Sequence, residues 1–479
     1  MGKKKNVILF LFFISVFFFF FLPPLDTDLG WLLRYGEHFW KTGEILKTNT
    51  FTVLNPNYHW PNSYFLYEAL IYPIYHTLGF WGLSLLSSIV YISIFYLLYL
   101  LTKRNLAVVF LSFPIVVYIS WVVFFFGLRA QVFSLLYFLI LLLLLTFNNV
   151  GKASTPTGLL SVARNDYLIP LLFILWTNTH GAFVYGLAVV GIWGILNQKI
   201  VKLRVGLLLL LSFFATLVSP YGLSIYSEEI RHMVVPLKTL IAEWTTPSLF
   251  IAGVVIIITI FSIFKILLIY KERKLTREHL FYFILLLLFA LLSLSAERNL
   301  PYFAFISVIY LGHVFSGDNR FFSSLNKIFF PFLILLLFVS VNYGLLNTVR
   351  INSSWNNYCN AYYPYPYRAV KFLQKEKKGN VFNAYEWGGF LEWQLPNFIY
   401  FVDGRMPAWP TPEGKSPYTI YLEVMQTKTG WNETLSRYKI DYVFIRPGTF
   451  LDLELSKGNS KWKEIYRDQI SVIYQESNI

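Results

Sequence analysis

Hydrophobic residues occur along this chain in long runs that are separated by short polar segments. A helix needs about 20 apolar residues to cross a bilayer, with a range of about 17–25. Runs of this kind fill residues 1–346 and predict about eleven spans, near 6–22, 80–101, 106–126, 131–147, 167–178, 180–197, 204–219, 249–270, 279–295, 299–316 and 327–346. The pattern predicts a multi-span α-helical membrane domain over 1–346, with 23–79 as a large first outer loop.

Residues 347–479 have a different pattern, in which short apolar runs alternate with amphipathic stretches. It predicts strands at 380–384, 398–402 and 441–446, a hairpin over 462–475, and helices at 369–377, 387–395 and 421–438. We therefore expect a C-terminal α/β domain outside the membrane.

The first span could be taken for a signal peptide, because Lys3, Lys4 and Lys5 precede it. Pro23 and Pro24 follow it instead of a small-residue cleavage site. We expect a retained membrane anchor.

Basic residues indicate the orientation, since cytoplasmic loops are enriched in Lys and Arg. With the N-terminus in the cytoplasm, the inner loops carry Lys103, Arg104, Lys152, Arg164, Lys199, Lys202, Arg204, the run 271–277, Arg320 and Lys327. The shorter outer loops carry Arg129, Arg231, Lys238 and Arg298. An odd number of spans then places both the first loop and the tail outside the cytoplasmic membrane.

Composition agrees with a membrane protein: 56% of the 479 residues are hydrophobic and 14% are charged, against roughly 25% charged in soluble domains. The net charge of +14 comes from loop clusters and not from a basic stripe of the kind that binds nucleic acid. The single cysteine, Cys359, excludes an intrachain disulfide and a thiolate metal cluster. The sequence also has no phosphate-binding Gly-Lys loop and no HExxH motif, which would support ATP-driven transport and zinc hydrolysis.

Asp26 and Asp28 follow the first span directly and are candidate catalytic residues. Paired carboxylates can hold a divalent cation such as Mg²⁺ or Mn²⁺, and either can act as a general base toward an attacking hydroxyl. The alternative is a helix cap after Pro23-Pro24, where Asp is favoured.

Polar side chains recur where outer loops approach the membrane, and they are candidate substrate-binding residues: Arg129, His180, Glu243 and Arg298. Charge near membrane depth is unfavourable unless it lines a cavity or is paired. The arginines suit a phosphate, which a guanidinium binds through two hydrogen bonds. The alternative is that each is an interfacial charge reaching toward water.

In the tail, the segments NAYEWGGFLEW and FVDGR stand out. Trp387 beside Glu386 offers a flat surface with a carboxylate, and both are candidate acceptor-binding residues. Gly388 and Gly389 permit close backbone approach, or serve only a strand–helix junction that requires glycine.

These segments together resemble the GT-C membrane glycosyltransferases, and more closely a group of prokaryotic multi-span proteins that are similar to them. The resemblance is carried by DTDLGWLLRYGEHFWKTGEI, FGLRAQVFSLLYF, WTNTHGAFVYGLAV, SPYGLSIY, AERNLPYFA, NAYEWGGFLEW and FVDGR. YEWGGF is also faintly similar to the acceptor motif of oligosaccharyltransferases.

The chain departs from the group's pattern at the first loop. The pattern has a histidine where this chain has Leu32, and an Asn-His-Glu-Trp segment where it has Asn62-Ser63-Tyr64-Phe65. If those groups bind metal or substrate, this chain lacks them.

The resemblance implies a glycosyltransferase that takes a sugar from a polyprenyl-phosphate donor and passes it to a glycan or protein acceptor on the outer face of the membrane. Two alternatives stay open. One is a non-catalytic scaffold that binds envelope glycans. The other is a flippase or polymerase of lipid-linked glycans, which would need polar residues through the spans, and few occur there.

Overall fold

The structure is a computed structural model that describes residues 2–147, 166–197, 202–235, 237–315, 319–351, 354–361, 364–457 and 461–477. Three residues of the predicted inner loops, Lys152, Arg164 and Lys199, lie outside the described residues.

Helices dominate the chain up to residue 361. They are α1 (Gly2–Phe19), α2 (Leu29–Thr42), α3 (Phe65–Leu101), α4 (Leu106–Ile119), α5 (Trp121–Phe124), α6 (Ala130–Phe147), α7 (Leu168–Thr177), α8 (Phe183–Asn197), α9 (Lys202–Thr216), α10 (Ser224–Val234), α11 (Leu249–Lys271), α12 (Arg277–Ser295), α13 (Leu300–Val314), α14 (Asn319–Ser340), α15 (Leu346–Ile351) and α16 (Trp355–Ala361). A π-helical segment, Val341–Leu345, joins α14 to α15, and short 3₁₀ turns lie at Leu237–Thr239, Ala242–Trp244 and Glu297–Asn299.

Each predicted span overlaps a helix. Among the described residues, four helical segments are long and apolar enough to cross a membrane: Phe65–Leu101, Ala242–Lys271, Arg277–Ser295 and Phe330–Ile351. The remaining apolar helices are shorter, so the total of eleven spans stays a prediction.

The tail folds around a five-stranded sheet. Its helices are α17 (Tyr367–Leu373), α18 (Gly388–Gln394), α19 (Pro417–Met425), α20 (Trp431–Arg437) and α21 (Phe450–Leu455), and its strands are β1 (Asn380–Asn383), β2 (Ile399–Tyr400), β3 (Tyr442–Ile445), β4 (Trp462–Arg467) and β5 (Val472–Glu476). The strand order is β2-β1-β3-β5-β4, with β2, β1 and β3 parallel and the β4–β5 hairpin antiparallel. These strands coincide with the predicted ones.

The chain divides into two compact units. The first unit comprises Met1–Pro24, Leu83–Ile225 and Ile241–Val349, and the second comprises Leu25–Gly82, Tyr226–Leu240 and Arg350–Ile479. The predicted division into 1–346 and 347–479 reflects hydrophobicity along the chain, whereas the units reflect which segments pack together.

Aromatic rings and small residues fill the core of the first unit. Phe20 stacks on Tyr91 with ring centroids 3.7 Å apart. A Cβ added at Gly186 would lie 2.7 Å from the indole of Trp176, so α8 can approach α7 only because this position is glycine. Small residues at such crossings are typical of helices that pack in membranes.

The first-loop segment extends the sheet of the second unit. Thr52 pairs in parallel with Tyr400 of β2. The Val53 N–H donates to the Tyr400 carbonyl at 2.8 Å, and the Tyr400 N–H donates to the Phe51 carbonyl at 3.0 Å. The edge of β2 is therefore covered by residues more than 300 positions earlier in the sequence, which protects an otherwise open strand edge.

Helix α3 is interrupted at Gly79, whose backbone has φ 59° and ψ −147°. This conformation is accessible essentially to glycine alone. We expect Gly79→Ala to lower the free energy of unfolding by about 1–3 kcal/mol, measured by thermal or denaturant unfolding in detergent.

Gly253→Ala is the matched control. In α11, a Cβ at Gly253 meets no atom within 4 Å among the described residues, and alanine in a helix interior stabilises by about 0.5–1 kcal/mol relative to glycine. Equal stability of the two variants would contradict the strained geometry at Gly79.

Candidate active site

The acidic segment that follows helix α1 leads into helix α2 in the second unit. Asp26 is 4% exposed, and its Oδ1 accepts the Asp28 N–H at 3.2 Å. Asp28 occupies the position before α2, but in the described segment 25–42 its side chain makes no capping hydrogen bond. The helix-cap interpretation therefore does not account for the Asp28 carboxylate.

Glycines let the tail approach this acidic segment closely. A Cβ on Gly404 would collide with Oδ1 of Asp28, and a Cβ on Gly389 would lie 2.7 Å from the Thr27 carbonyl oxygen and 3.1 Å from the Trp31 ring. Gly30 faces Gly389 in the same way where α2 packs on α18. The segments DTDLGW, EWGG and DGR thus form one site within the second unit.

Arg405 is the buried cation of this site. Its Nε and backbone N–H each donate to Oδ1 of Asp403 at 2.9 Å, and Nη2 donates to the other carboxylate oxygen. Nη1 donates to the Tyr35 hydroxyl, and Glu392 Oε1 lies 3.5 Å from Nη2. Because Arg405 is two residues from Asp403, these bonds fix the intervening Gly404 that faces Asp28.

Aromatic rings enclose the guanidinium of Arg405. Its Cζ lies 5.3–5.8 Å from the ring centroids of Trp31, Tyr35, Phe51, Trp60 and Trp409. Such contacts attract a cation to the ring faces and gain strength when water is excluded. Four of the five rings come from the first-loop segment, which is thereby tied to the tail within the second unit.

The pKa values of the two carboxyl groups near Arg405 are shifted in opposite directions. Burial alone would raise the pKa of Asp403, but the charge and hydrogen bonds of Arg405 outweigh it and hold that pKa below its usual value. Burial and the neighbouring Asp403 charge raise the pKa of Glu392 well above its usual value. The shifts therefore favour the ionised form of Asp403 and the protonated form of Glu392.

Tyrosines line the exposed side of the tail portion. The Tyr385 and Tyr418 ring centroids are 4.5 Å apart. The neighbouring Tyr421 is buried. Burial, followed by the charge of Asp28, raises the pKa of Tyr385 well above its usual value. Both half-buried hydroxyls are therefore neutral donors, and Glu386 is an exposed carboxylate beside them.

Trp387 lies in the core and not at the surface. Its indole is fully buried against Phe444 at 5.5 Å, with the Arg446 guanidinium over the ring at 5.1 Å. The half-buried aromatic residues near this segment are Tyr385 and Tyr418, and Tyr418 had no distinguishing pattern in the sequence.

The positions that depart from the pattern of the GT-C-like group are buried or half-buried. Leu32 and Ser63 are buried. The Asn62 amide donates to both oxygens of the buried Glu68 carboxylate at 2.9 Å. In this part of the first loop, the chain has the hydrogen-bonded pair Asn62–Glu68 and the apolar Leu32. The pattern of the GT-C-like group has histidine and glutamate there.

The first unit contains a second cluster, which joins three of the predicted residues. Arg129 Nη1 lies 3.0 Å from Glu243 Oε2, and Arg298 Nη1 lies 3.7 Å from Glu243 Oε1. Their side chains are 18%, 15% and 19% exposed for Arg129, Glu243 and Arg298. One carboxylate is shared by two guanidinium groups, so the cluster has a net positive charge that suits an anion.

Rings and backbone hold these two arginines in place. The Arg129 guanidinium lies 4.7 Å from the Phe126 ring, and that of Arg298 lies 4.4 Å from the Trp244 ring. The Gln131 amide donates to the Arg298 carbonyl at 3.3 Å. The arrangement is partly exposed and firmly positioned, which is what a phosphate site requires.

His180 belongs to the same helical neighbourhood. Its Nδ1 lies 2.9 Å from Ser134 Oγ and accepts the Ala182 N–H at 3.2 Å. The Trp176 indole N–H donates to Ser134 Oγ at 2.8 Å. Since Nδ1 is an acceptor, the neutral ring carries its proton on Nε2. Ser134 and Gln131 lie on consecutive turns of α6, so this helix positions both His180 and Arg298.

The residues present do not fit a metal ion held by the protein alone. Across the described part of the chain, no three His, Cys, Asp or Glu side chains come together in a metal-binding group. Asp26 and Asp28 supply two carboxylates, and Mg²⁺ is usually bound through one or two carboxylates together with water and a substrate phosphate. We therefore assign no chemical step to a metal.

Three solved structures share this fold. Archaeal oligosaccharyltransferase AglB from Archaeoglobus fulgidus, in complex with an inhibitory peptide and a dolichol-phosphate, superposes with a TM-score of 0.64 at 11% identity, over 93% of this chain and 69% of that one. The same organism's enzyme in complex with Zn and sulfate gives 0.56 at 12% identity, over 98% and 73%. ArnT from Cupriavidus metallidurans bound to undecaprenyl phosphate gives 0.53 at 12% identity, over 99% and 97%.

No protein-family model and no curated protein matches the chain. The structural neighbours are membrane glycosyltransferases of the GT-C class, and this chain has their fold and is a membrane protein, as the sequence predicts. At such low identity the likeness establishes the fold and no activity.

Glu392 generates a prediction about pH. Below its unfolded pKa, near 4.5, the carboxyl is protonated in both states and contributes no pH dependence. Above that pH the Glu392 carboxyl ionises in the unfolded state but stays protonated to a higher pH in the folded state. The free energy of unfolding of the wild type therefore falls as pH rises. Glu392→Gln removes this loss, and we expect its thermal stability to exceed that of wild type by a margin that widens from pH 5 to pH 8.

Thermal unfolding in detergent across that pH range measures the margin, at most about 1.4 kcal/mol per pH unit. Glu433→Gln, at an exposed position of α20, controls for a general effect of the amide. A margin that is constant with pH would show that Glu392 is ionised in the folded protein.

Proposed function

We propose that this protein is a glycosyltransferase that moves a sugar from a polyprenyl-phosphate donor to an acceptor hydroxyl on the outer face of the cytoplasmic membrane. The observation that carries the proposal is Asp28: a carboxylate at the start of helix α2 that is held against Gly404 and beside Tyr385. A carboxylate fixed at such a position is suited to accept a proton from a hydroxyl.

The donor would enter from the bilayer. Helix α11 exposes large apolar side chains, including Phe250, Ile257 and Ile260, and such a surface suits a prenyl chain. The phosphate would bind Arg129 and Arg298. Their shared partner Glu243 supplies one negative charge against the two positive charges of the guanidinium groups. AglB and ArnT were each solved with a polyprenyl phosphate, which supports a lipid-linked donor for a chain of the same fold.

The reaction is a direct displacement at the anomeric carbon. The acceptor hydroxyl attacks this carbon while Asp28 takes its proton, and the bond between the carbon and the phosphate oxygen breaks. The electron pair of that bond stays on the polyprenyl phosphate. Arg129 and Arg298 stabilise the charge that develops there, an effect that is often the largest in such sites. One displacement inverts the configuration of the sugar.

The acceptor would bind at Tyr385, Tyr418 and Glu386. Aromatic faces pack against the apolar face of a sugar ring, and an exposed carboxylate accepts its hydroxyl groups. Asp26 supports the site by fixing the Asp28 backbone, and buried Trp387 supports the turn that carries Tyr385 and Glu386. His180 orients the neighbourhood of Arg298 through α6.

A second candidate is a non-catalytic scaffold that binds envelope glycans. It is favoured by the departures in the first loop, where Leu32 is apolar and Glu68 is closed off by Asn62. Both candidates bind glycans, and only the first releases a sugar from the donor.

Asp28→Asn tests the proposed base. We expect the amide to keep the fold and to lower the rate of sugar release from radiolabelled polyprenyl-phosphate sugars by at least about 10²–10⁴-fold, the contribution of a general base. Asp26→Asn should have a smaller effect because its role is to position Asp28.

The assay uses the purified full chain in lipid, with Glu433→Gln as the control for loss of a carboxylate. Wild-type turnover in both Asp26→Asn and Asp28→Asn would contradict the mechanism. Tight glycan binding by a wild type that turns over no donor would identify the scaffold.

Arg298→Gln tests the phosphate site. We expect kcat/KM for the donor to fall by about 10²–10³-fold, as when one charge-stabilising donor is removed from an active site, while binding of the free acceptor is unchanged. Arg437→Gln, at a residue that is 60% exposed in the tail, is the matched control. An unchanged donor kcat/KM would exclude Arg298 from phosphate binding.

A further inference from the structure

Helix α10 has an inverted distribution of polar and apolar side chains. Its acidic residue Glu228 is 4% exposed. Large apolar residues of the same helix are open: Ile230 is 58% exposed, Met233 61% and Val234 76%. A helix at the surface of a water-soluble domain shows the opposite pattern.

The buried face is anchored by a polar network within the second unit. The Tyr58 hydroxyl donates to Glu228 Oε2 at 3.1 Å, and the Arg231 guanidinium donates to the same hydroxyl. Arg231 also lies 3.7 Å from the Glu228 carboxylate and 5.5 Å from the centre of the Tyr58 ring. His232 Nδ1–H donates to the Glu228 carbonyl at 2.9 Å. These contacts fix which side of the helix faces inward.

The exposed residues form one stripe. Leu223, Ser227, Ile230 and Val234 follow each other at spacings of four, three and four, and all are exposed. This spacing places them on a single face of a helix. The polar network on the opposite face prevents the helix from rolling to hide them.

Lipid is the occupant that the surroundings of α10 favour. In sequence the helix lies between α9, which is apolar, and α11, which is apolar and long enough to cross a membrane. Residues of α11 are similarly open, with Leu249 93% and Ile257 68% exposed. The stripe carries no charged side chain, whereas the neighbouring Arg231 and His232 are basic and half-buried. This is the composition of helices that lie in a membrane interface.

We propose that α10 lies along the outer membrane surface, with Ile230, Met233 and Val234 inserted at the boundary between lipid headgroups and acyl chains. The second unit thus binds lipid through an element of its own. Tyr58 packs on Trp409 at 4.8 Å, so the lipid-bound helix directly supports the aromatic enclosure of Arg405. This inference does not depend on the proposed reaction.

Site-directed fluorescence tests the proposal. Ile230→Cys and Met233→Cys are each labelled with bimane in the full chain and reconstituted in nanodiscs of phosphatidylcholine. Native Cys359 is buried, and burial raises the pKa of its thiol to about 12, so it labels little; unmodified wild type measures that background. Lipids brominated near the headgroup end of the acyl chain should remove most of the emission at 230 and 233.

Two controls calibrate the result. Ile257→Cys on α11 reports a lipid-facing position, and Thr429→Cys, exposed in the tail, reports an aqueous one that iodide quenches. Quenching of 230 and 233 by iodide to the extent seen at 429 would overturn the proposal. Protection of both positions from iodide and from bromine alike would also overturn it, because a protein surface would then cover the stripe.

Discussion

Arg405 has its guanidinium enclosed away from water, and the organisation of the second unit depends on how that charge is balanced. A buried ion pair is unfavourable unless its geometry is good and its remaining donors are satisfied. Here Asp403 accepts hydrogen bonds through both oxygens, Tyr35 accepts another, and five rings cover the cation. Removing Asp403 alone would leave an uncompensated charge, a loss of about 3–5 kcal/mol in comparable cases. Because Tyr35 and most of the rings belong to the first-loop segment, the contacts of Arg405 hold that segment to the tail.

The same constraint sets the geometry of the acidic site. With Asp403 and Arg405 fixed, Gly404 has no freedom to move away from Asp28, and the contact is possible only without a Cβ. Gly30 and Gly389 have an equivalent role where α2 meets α18. The position of Asp28 is therefore determined by buried groups on both sides, which is the rigid support that a catalytic carboxylate requires. Burial and the charge of Asp403 raise the pKa of Glu392, which disfavours a second ionised carboxyl beside Arg405.

Hydrophobic periodicity predicted where the helices lie and where β1, β2 and β3 run, because these features depend on neighbours close in sequence. It also singled out Arg129, Glu243 and Arg298, since charge next to an apolar run is unusual wherever it occurs. The partners of Arg405 were not predictable in this way. Tyr35 is 370 positions away, and neither it nor Tyr418 differs from the chain's 33 tyrosines by any local pattern. Trp387 shows the converse: an aromatic residue next to a carboxylate and two glycines resembles a binding surface in sequence, but the parallel sheet behind it takes up the indole.

Glu243 and Glu228 illustrate how this chain uses carboxylates beside its apolar surfaces. Glu243 lies between two arginines and leaves the cluster one positive charge in excess, so it orders the guanidinium groups without cancelling them. Glu228 lies under a helix whose outward face is apolar, and its network with Tyr58 and Arg231 keeps that face turned outward. In water, the excess charge near Glu243 would bind counterions, and the apolar face of α10 would be exposed to solvent at a cost in free energy. Beside a bilayer they have opposite uses, because an excess cation attracts a lipid phosphate and an apolar stripe inserts among acyl chains. The polarity of both clusters follows from a lipid solvent, to which the composition of the chain also points.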